Sequence, residues 1–325
     1  MQSEIIKRTV ELFNSEEIVR AIGWRKGDFD YDLNPSIFKS SEDLEKNFVY
    51  NDFSSANLSK FLIKISQKED GKTLVFLKSC DTYSFNSLLQ EHRISRDKIY
   101  IIGVPCEENL DPSKIKAALG EDVLSMSCDG ETVTVETLDG TKTISKSEVI
   151  LDRCLACKSR KHVVYDELFG EEGEVLDSKR FDQVEILENM KPEERYSFWR
   201  TELSRCIGCN ACRDICPACT CEKCVFDNRD SGVENKVATN DFEENMFHII
   251  RAFHVAGRCT DCGECSRVCP EDIPLHLLNR KFIKDINEFY GNYQAGDDIE
   301  TLAPLTRFDA VDVEPSIVKT RENVK

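Results

Sequence analysis

No stretch of the chain is apolar for the roughly 20 residues a membrane-spanning helix needs; the longest apolar run lies around IYIIGV. The N-terminal MQSEIIKRTVELFNSEEIVR lacks the basic start and apolar run of an export signal. A cytoplasmic protein with no direct membrane insertion is expected. Basic charge is scarce: 43 Lys and Arg against 60 Asp and Glu give a net charge of −17. That opposes nucleic acid and anionic lipid as partners and suits other proteins better. The 5 histidines are scattered, and no Ser/His/Asp or Cys/His nucleophilic set is readable. No GxGxxG is present. Gly71-Lys72-Thr73 resembles the end of a phosphate loop, but Ser66 replaces the first glycine and the triplet precedes a strand. Asp28, Asp30 and Asp32 begin like a calcium loop, but Leu33 stands where the sharp turn needs glycine.

Cysteine, by contrast, is abundant, with 16 in 325 residues. Close spacing in a chain of the reducing cytoplasm points to thiolate metal sites rather than disulfides, and to anaerobic metabolism. Cys206, Cys209, Cys212 and Cys216-Pro217 form C-x2-C-x2-C-x3-C-P, and Cys259, Cys262, Cys265 and Cys269-Pro270 repeat it. Two-residue gaps let three thiolates of one loop reach three irons of a cubane, while the fourth reaches the other cluster. One 4Fe-4S cluster is therefore expected on Cys206, Cys209, Cys212 and Cys269, and a second on Cys259, Cys262, Cys265 and Cys216. Zinc knuckles would leave half of these ligands unexplained.

Cys80 and Cys106 follow the predicted strands of KTLVFLKSC and KIYIIGVPC, which a helix through LLQEHR joins as a crossover unit. Neighbouring strand ends are where α/β domains bind cofactors. With the Cys154/Cys157 pair and its basic neighbours Arg153, Lys158, Arg160 and Lys161, they suggest a third 4Fe-4S cluster. Buried free thiols or a zinc site with His162 are the competing readings. Cys219, Cys221 and Cys224 are surplus to both motifs; packing near the clusters is expected, against a further cluster borrowing a ligand from Cys128 or a partner chain. Cys128 itself reads as a packed small hydrophobe. Arg205, Arg213, Arg258 and Arg267 flank the motifs, where they are either cluster-tuning charges or ordinary surface residues. His248 and His254 read as packing or hydrogen-bonding residues.

Helical spacing of Ile5, Ile6, Val10, Phe13, Val19 and Ile22 predicts an amphipathic helix over residues 2–22. VLSMSC, ETVTVETL and TKTIS, separated by Asp129-Gly130 and Asp139-Gly140, predict a meander with type I′ turns. A helix from Pro192 leads to Cys206, and another from Asp241, with Met246, Ile249, Ile250 and Phe253 as its apolar stripe, leads to Cys259. A third spans Leu275 to Tyr290 and stops at Gly291.

Together, LVFLKSCDTYSFNSLLQEHRISRDKIYIIGVPC and DRCLACKSRKHVVYDELFG resemble the β-subunit family of deazaflavin-reducing hydrogenase and formate dehydrogenase, over residues 20–170. The block from CIGCNACRDICPACTCEKC to LHLLNRK is similar, over residues 195–285, to dicluster subunits accompanying hydrogenases, formate dehydrogenases and heterodisulfide-reductase-like complexes. Its long helical insert resembles the α-helical ferredoxin domain of fumarate reductase and heterodisulfide reductase subunits. The strand and turn patterns predict an α/β domain with a small parallel sheet plus antiparallel meander, and the resemblance implies an α-helical ferredoxin domain after it. The expected division is 1–165 for the α/β domain, 166–191 for a linker, 192–290 for the ferredoxin domain and 291–325 for a tail or docking arm. It implies a non-catalytic subunit relaying single electrons within a heteromeric complex, beside a hydrogenase, formate dehydrogenase or flavin-bearing heterodisulfide-reductase-like partner. Such β subunits carry FAD, but their ferredoxin motif commonly precedes the α/β domain, and no flavin fingerprint is readable here. A flavin-dependent subunit that itself reduces a soluble carrier is the alternative.

Overall fold

The computed structural model describes residues 1–68, 70–120, 122–176, 179–227 and 241–306, and the side chains of all of these except 67–68 and 241–244. The chain forms two compact units, one of Met1–Thr82 and Ile94–Ser178, the other of Tyr83–Arg93 and Lys179–Lys325. Among the described residues no helix is long and apolar enough to cross a membrane.

The first unit is built on β1 (Arg20–Lys26), β2 (Leu33–Phe38), β3 (Thr73–Leu77) and β4 (Ile99–Gly103). TLVFL and IYIIG are buried at every position, the pattern of parallel strands covered on both faces. They pair in parallel with Val75 opposite Ile101. Next, β1 lies parallel to β3 with Ile22 opposite Val75, and β2 pairs antiparallel with β1. A separate antiparallel sheet holds β5 (Val123–Asp129), β6 (Thr132–Thr137) and β7 (Gly140–Ser145). Val133 and Val135 on β6 alternate inward onto Tyr31, Leu110, Ile115 and Val149, as a half-buried sheet requires. The short β8 (Glu167–Leu168) completes the first sheet in the order β2-β1-β3-β4-β8. Connections are made by α1 (Gln2–Asn14), α2 (Ser41–Asn47), α3 (Leu62–Lys68), α4 (Ser79–Gln90), α5 (Pro112–Leu119) and α6 (Asp152–Leu155).

Several expectations are corrected here. The main sheet is mixed, because β2 adds an antiparallel edge to the parallel centre. The helix read over residues 2–22 ends at Asn14; Glu16 takes a positive φ of 57°, and the β-branched Ile18, Val19 and Ile22 suit the extended chain that follows. The meander turns are not type I′: their central residues are Gly130-Glu131 and Leu138-Asp139, and of these four only Gly130 takes the positive φ that such a turn asks of both. Residues 166–191, read as a linker, contain β8 and a helix.

That helix is α7 (Asp182–Asn189), which begins the helical part of the second unit with α8 (Pro192–Leu203), α9 (Ala211–Asp214), α10 (Asp241–His254), α11 (Glu264–Arg267) and α12 (Leu275–Tyr290). Pro192 sits in the first turn of α8, where its missing N–H costs nothing, and the Glu194 carboxylate accepts from Lys191 N at 3.1 Å. Val184 and Leu187 of α7 pack on Leu277 of α12. Leu203, Phe226, Phe247, Ile273 and Leu275 form a core shared with cysteines. The face assigned to α10 is corrected: Phe247, His248, Arg251 and Ala252 are buried, whereas Phe253 is 61% exposed and Ile249 38%. Residues 291–306 are tied down by hydrogen bonds from Tyr293 Oη to Gly257 O at 3.0 Å and from Asn86 to Gly296 O at 3.1 Å. The rest of the expected tail, 307–325, lies outside the described residues.

Candidate metal centres

The two cysteine motifs fold into loops with the same backbone. Gly208 and Asn210 in the first have φ of 68° and 63°, and Asp261 and Gly263, at the matching positions of the second, have 59° and 66°. Only Gly, Asn and Asp visit this left-handed region readily, so each loop carries suitable residues on both sides of its middle cysteine. A single helical turn then follows in each, α9 and α11. The curl turns backbone N–H groups toward sulfur, and Gly208 N lies 3.4 Å from Cys206 Sγ.

Cys206, Cys209 and Cys212 line a recess, and Cys269 from the other motif joins them. Phe247, Ile273 and Leu275 supply apolar wall. In a second nest, Cys216 bears electrostatically on Cys259, Cys262 and Cys265, and it packs with Ala218, Val255 and Cys259. Asn279 Nδ2 approaches Cys265 Sγ at 3.6 Å.

A third nest lies in the first unit. Cys106 is acted on by Cys154 and Cys157, and Cys80 by Cys106. Beside them lies an ion pair whose side chains are both 0% exposed, Lys78 Nζ to Asp81 at 2.9 Å. Lys78 also donates to Ala56 O at 2.9 Å and lies 4.6 Å from the centre of the Trp24 ring. The Nε2 of His162 is shared between Leu77 O at 3.2 Å and Val104 O at 3.1 Å, bracing the ends of β3 and β4. Its pKa is lowered by burial, and the charged groups acting on it are Asp81 and Glu172.

Burial, with neighbouring thiols adding to it, pushes the thiols of Cys106, Cys212 and Cys259 up to about 12, and Cys80 and Cys262 also shift well upward. Such crowded thiols become thiolates only when a strong cation offsets their repulsion, which metal binding does by releasing their protons. Among the described residues no three His, Cys, Asp or Glu side chains are arranged to hold a single metal ion. Thiols spread around a recess, with an apolar wall and N–H groups aimed at sulfur, fit an iron–sulfur group.

The flanking arginines pair with carboxylates, and Arg213 also hydrogen-bonds Cys224. Arg205 pairs with Glu202, Arg213 with Asp214 at 2.9 Å and Asp227 at 2.8 Å, Arg258 with Glu91 at 2.9 Å, and Arg267 with Glu264 at 2.7 Å. Among the thiols of the two repeated motifs lies a cation the sequence did not signal, Arg251, 4% exposed on α10. Its guanidinium hydrogen-bonds Cys265 and is acted on by Cys216, Cys212 and Cys219. One turn earlier His248, 2% exposed, borders the first recess with both ring nitrogens unpartnered among the described residues. Burial, then the Arg251 charge, holds its pKa down to about 3. His254 packs near the Phe226 ring. Of the surplus cysteines, Cys219 packs beside Cys216 and Cys224 beside Phe226, while Cys221 is exposed. Cys128 packs partly buried against the meander core.

Repeated loops and paired thiol nests define an iron–sulfur protein of the dicluster class, and residues 202–273 match the family of the 4Fe-4S dicluster domain. Over this segment the chain belongs with that family; a putative ferredoxin-3 of Sinorhizobium fredii is 33% identical over 76 residues, 22% of this chain and 70% of the relative. Nearly the whole chain is similar to an F420-dependent formate dehydrogenase subunit beta of Methanocaldococcus jannaschii, 25% identical over 90% of this chain and 91% of the relative. An F420-dependent formate dehydrogenase 1 subunit beta of Methanococcus maripaludis is also 25% identical, over 85% of this chain and 86% of its own. The likeness to deazaflavin-linked β subunits read from the residues is thus borne out. Among solved structures, a chain of the F420-reducing NiFe hydrogenase complex of Methanosarcina barkeri aligns with a TM-score of 0.38 and 15% identity, over 62% of this chain and 88% of that one.

Proposed function

We propose that this chain is the iron–sulfur electron-transfer subunit of a cytoplasmic multi-subunit redox complex, with a formate dehydrogenase, a hydrogenase or a flavin-bearing heterodisulfide-reductase-like protein as partner. The observation that carries the reading is the recess on which Cys206, Cys209, Cys212 and the distant Cys269 converge, in a chain similar along 90% of its length to a formate dehydrogenase β subunit. Bound there, 4Fe-4S groups supply one-electron chemistry.

In this reading Cys206, Cys209, Cys212 and Cys269 hold one cluster and Cys259, Cys262, Cys265 and Cys216 a second, in an α-helical ferredoxin domain whose α8, α10 and α12 precede, separate and follow the motifs. Cys80, Cys106, Cys154 and Cys157 hold a third. The apolar walls shield the buried Cys212, Cys216 and Cys265, and loop N–H groups favour the reduced, more negative state. A second reading, in which the first unit binds FAD and itself reduces a soluble carrier, draws on the similarity to subunits named F420-dependent.

Purification without oxygen, with iron and flavin quantified and copurifying subunits identified, tests all of this. About twelve irons per chain, no flavin and a redox-enzyme partner support the relay with three clusters; about eight irons remove the third cluster. Stoichiometric flavin favours the second reading, and an iron-free, redox-silent chain refutes both.

A further inference from the structure

The structure assigns to α10 a role beyond connecting the two motifs: we propose that Arg251 is the shared buried counter-charge of both thiol nests, raising the reduction potential of the group each holds, and that His248 is a hydrogen-bond donor to the first nest alone. The inference rests on the iron–sulfur reading and names the residues that tune it.

The argument begins from what is missing around Arg251. At 4% exposure its guanidinium is out of water, its Nη1 has no hydrogen-bond partner among the described residues, and no carboxylate pairs with it there. An isolated cation in such a place is strongly unfavourable unless an opposite charge accompanies it. The neighbours available are sulfurs: Cys265, which accepts its hydrogen bond, and Cys216, Cys212 and Cys219. Cys212 belongs to the first nest and Cys216 and Cys265 to the second, so one guanidinium serves both. Thiolates bound to iron would supply the negative charge, and a reduced cluster, one electron more negative, gains more from a fixed cation than an oxidised one does. His248 precedes Arg251 by one turn on the same face and borders the recess formed by Cys206, Cys209, Cys212 and Cys269. An imidazole there, with neither nitrogen otherwise engaged, has an N–H to offer to sulfur.

The test is an EPR-monitored redox titration of the full chain, loaded with iron without oxygen. Arg251→Gln is expected to retain iron and to lower the midpoints of both dicluster signals by a tenfold or larger change in the reduction equilibrium, about 59 mV for one electron. Arg251→Lys keeps the charge and is expected to recover part of that shift, and His248→Phe to lower one signal only. Iron-loaded Arg251→Gln with wild-type midpoints overturns the proposal. Should that variant fail to hold iron, pulsed EPR of the reduced wild-type chain labelled with 15N-arginine decides: a nitrogen coupling from arginine supports the proposal and its absence overturns it. A wild-type chain that takes up no iron overturns the proposed function itself.

Discussion

Replacing Asp81 by Asn tests the buried ion pair beneath the third thiol nest. Asn is nearly the same shape but removes the charge, leaving the Lys78 ammonium, 0% exposed, with Ala56 O at 2.9 Å and the Trp24 ring at 4.6 Å as its remaining partners. Removing one partner of a fully buried pair costs about 3–5 kcal/mol, because the other charge stays out of water. With a urea m-value of about 2 kcal/mol/M, the midpoint of the first unit should fall by roughly 1.5–2.5 M. Of the 2 tryptophans in the sequence, Trp24 is buried in this unit and Trp199 lies in the other. Fluorescence in a Trp199→Phe background therefore follows the right transition. Adding Lys78→Met to Asp81→Asn should recover much of the loss, since the orphaned charge is gone, and the double-mutant cycle isolates the coupling. A fall under roughly 0.5 M, or a double variant no more stable than Asp81→Asn, would refute the reasoning.

Cys106→Ser should lower the anaerobic iron count by about four per chain while leaving the dicluster EPR signals in place; an unchanged count removes the third site. Serine at Cys219, Cys221 or Cys224 should leave the iron count unchanged, and a loss of about four irons in any of the three would make it a ligand. Glu167 joins α1 to β4 and β8, accepting from Arg8 Nε at 2.9 Å and Tyr100 Oη at 2.6 Å. Its pKa is lowered from 4.5, first by the hydrogen bond from Arg8. A lowered carboxylate contributes stability above its unfolded value and loses it as pH falls. Glu167→Gln should therefore be less stable than wild type at neutral pH, with the gap closing below about pH 4.5. Thermal melts at the two pH values measure it, and a gap that persists in acid contradicts the assignment.

Where local pattern and tertiary burial agree, the chain was legible. TLVFL and IYIIG read as buried parallel strands and are β3 and β4; α8 and α12 begin and end at the proline and glycine that mark them. Legibility failed where a three-dimensional partner changes the meaning of a residue. Val19 and Ile22 fit a helical stripe, but Ile22 is claimed by pairing with Val75. The two-residue β8 has no periodicity to read and exists because the edge of β4 accepts it. On α10 the apolar stripe pointed to Ile249 and Phe253, whereas the helix turns His248 and Arg251 inward, because the surface it meets is lined with sulfur as well as hydrocarbon.

By itself the sequence determined the chemistry: cysteine spacing, with Gly or Asn and Asp or Gly at the left-handed positions of each loop, dictates local curls that present thiols to metal. Those are short-range effects of backbone sterics, and a motif carries them wherever it is placed. The motif spacing suggested which thiols should meet, and the tertiary contacts bring them together. Cys269 enters the recess of the first motif, Cys216 turns to the second, and Cys80 and Cys106 approach Cys154 and Cys157. Only the tertiary structure decided that Arg251 is buried among the thiols of the two repeated motifs, while the arginines beside those motifs pair with carboxylates. Desolvation and charge pairing depend on neighbours distant along the chain, so no local pattern could announce them.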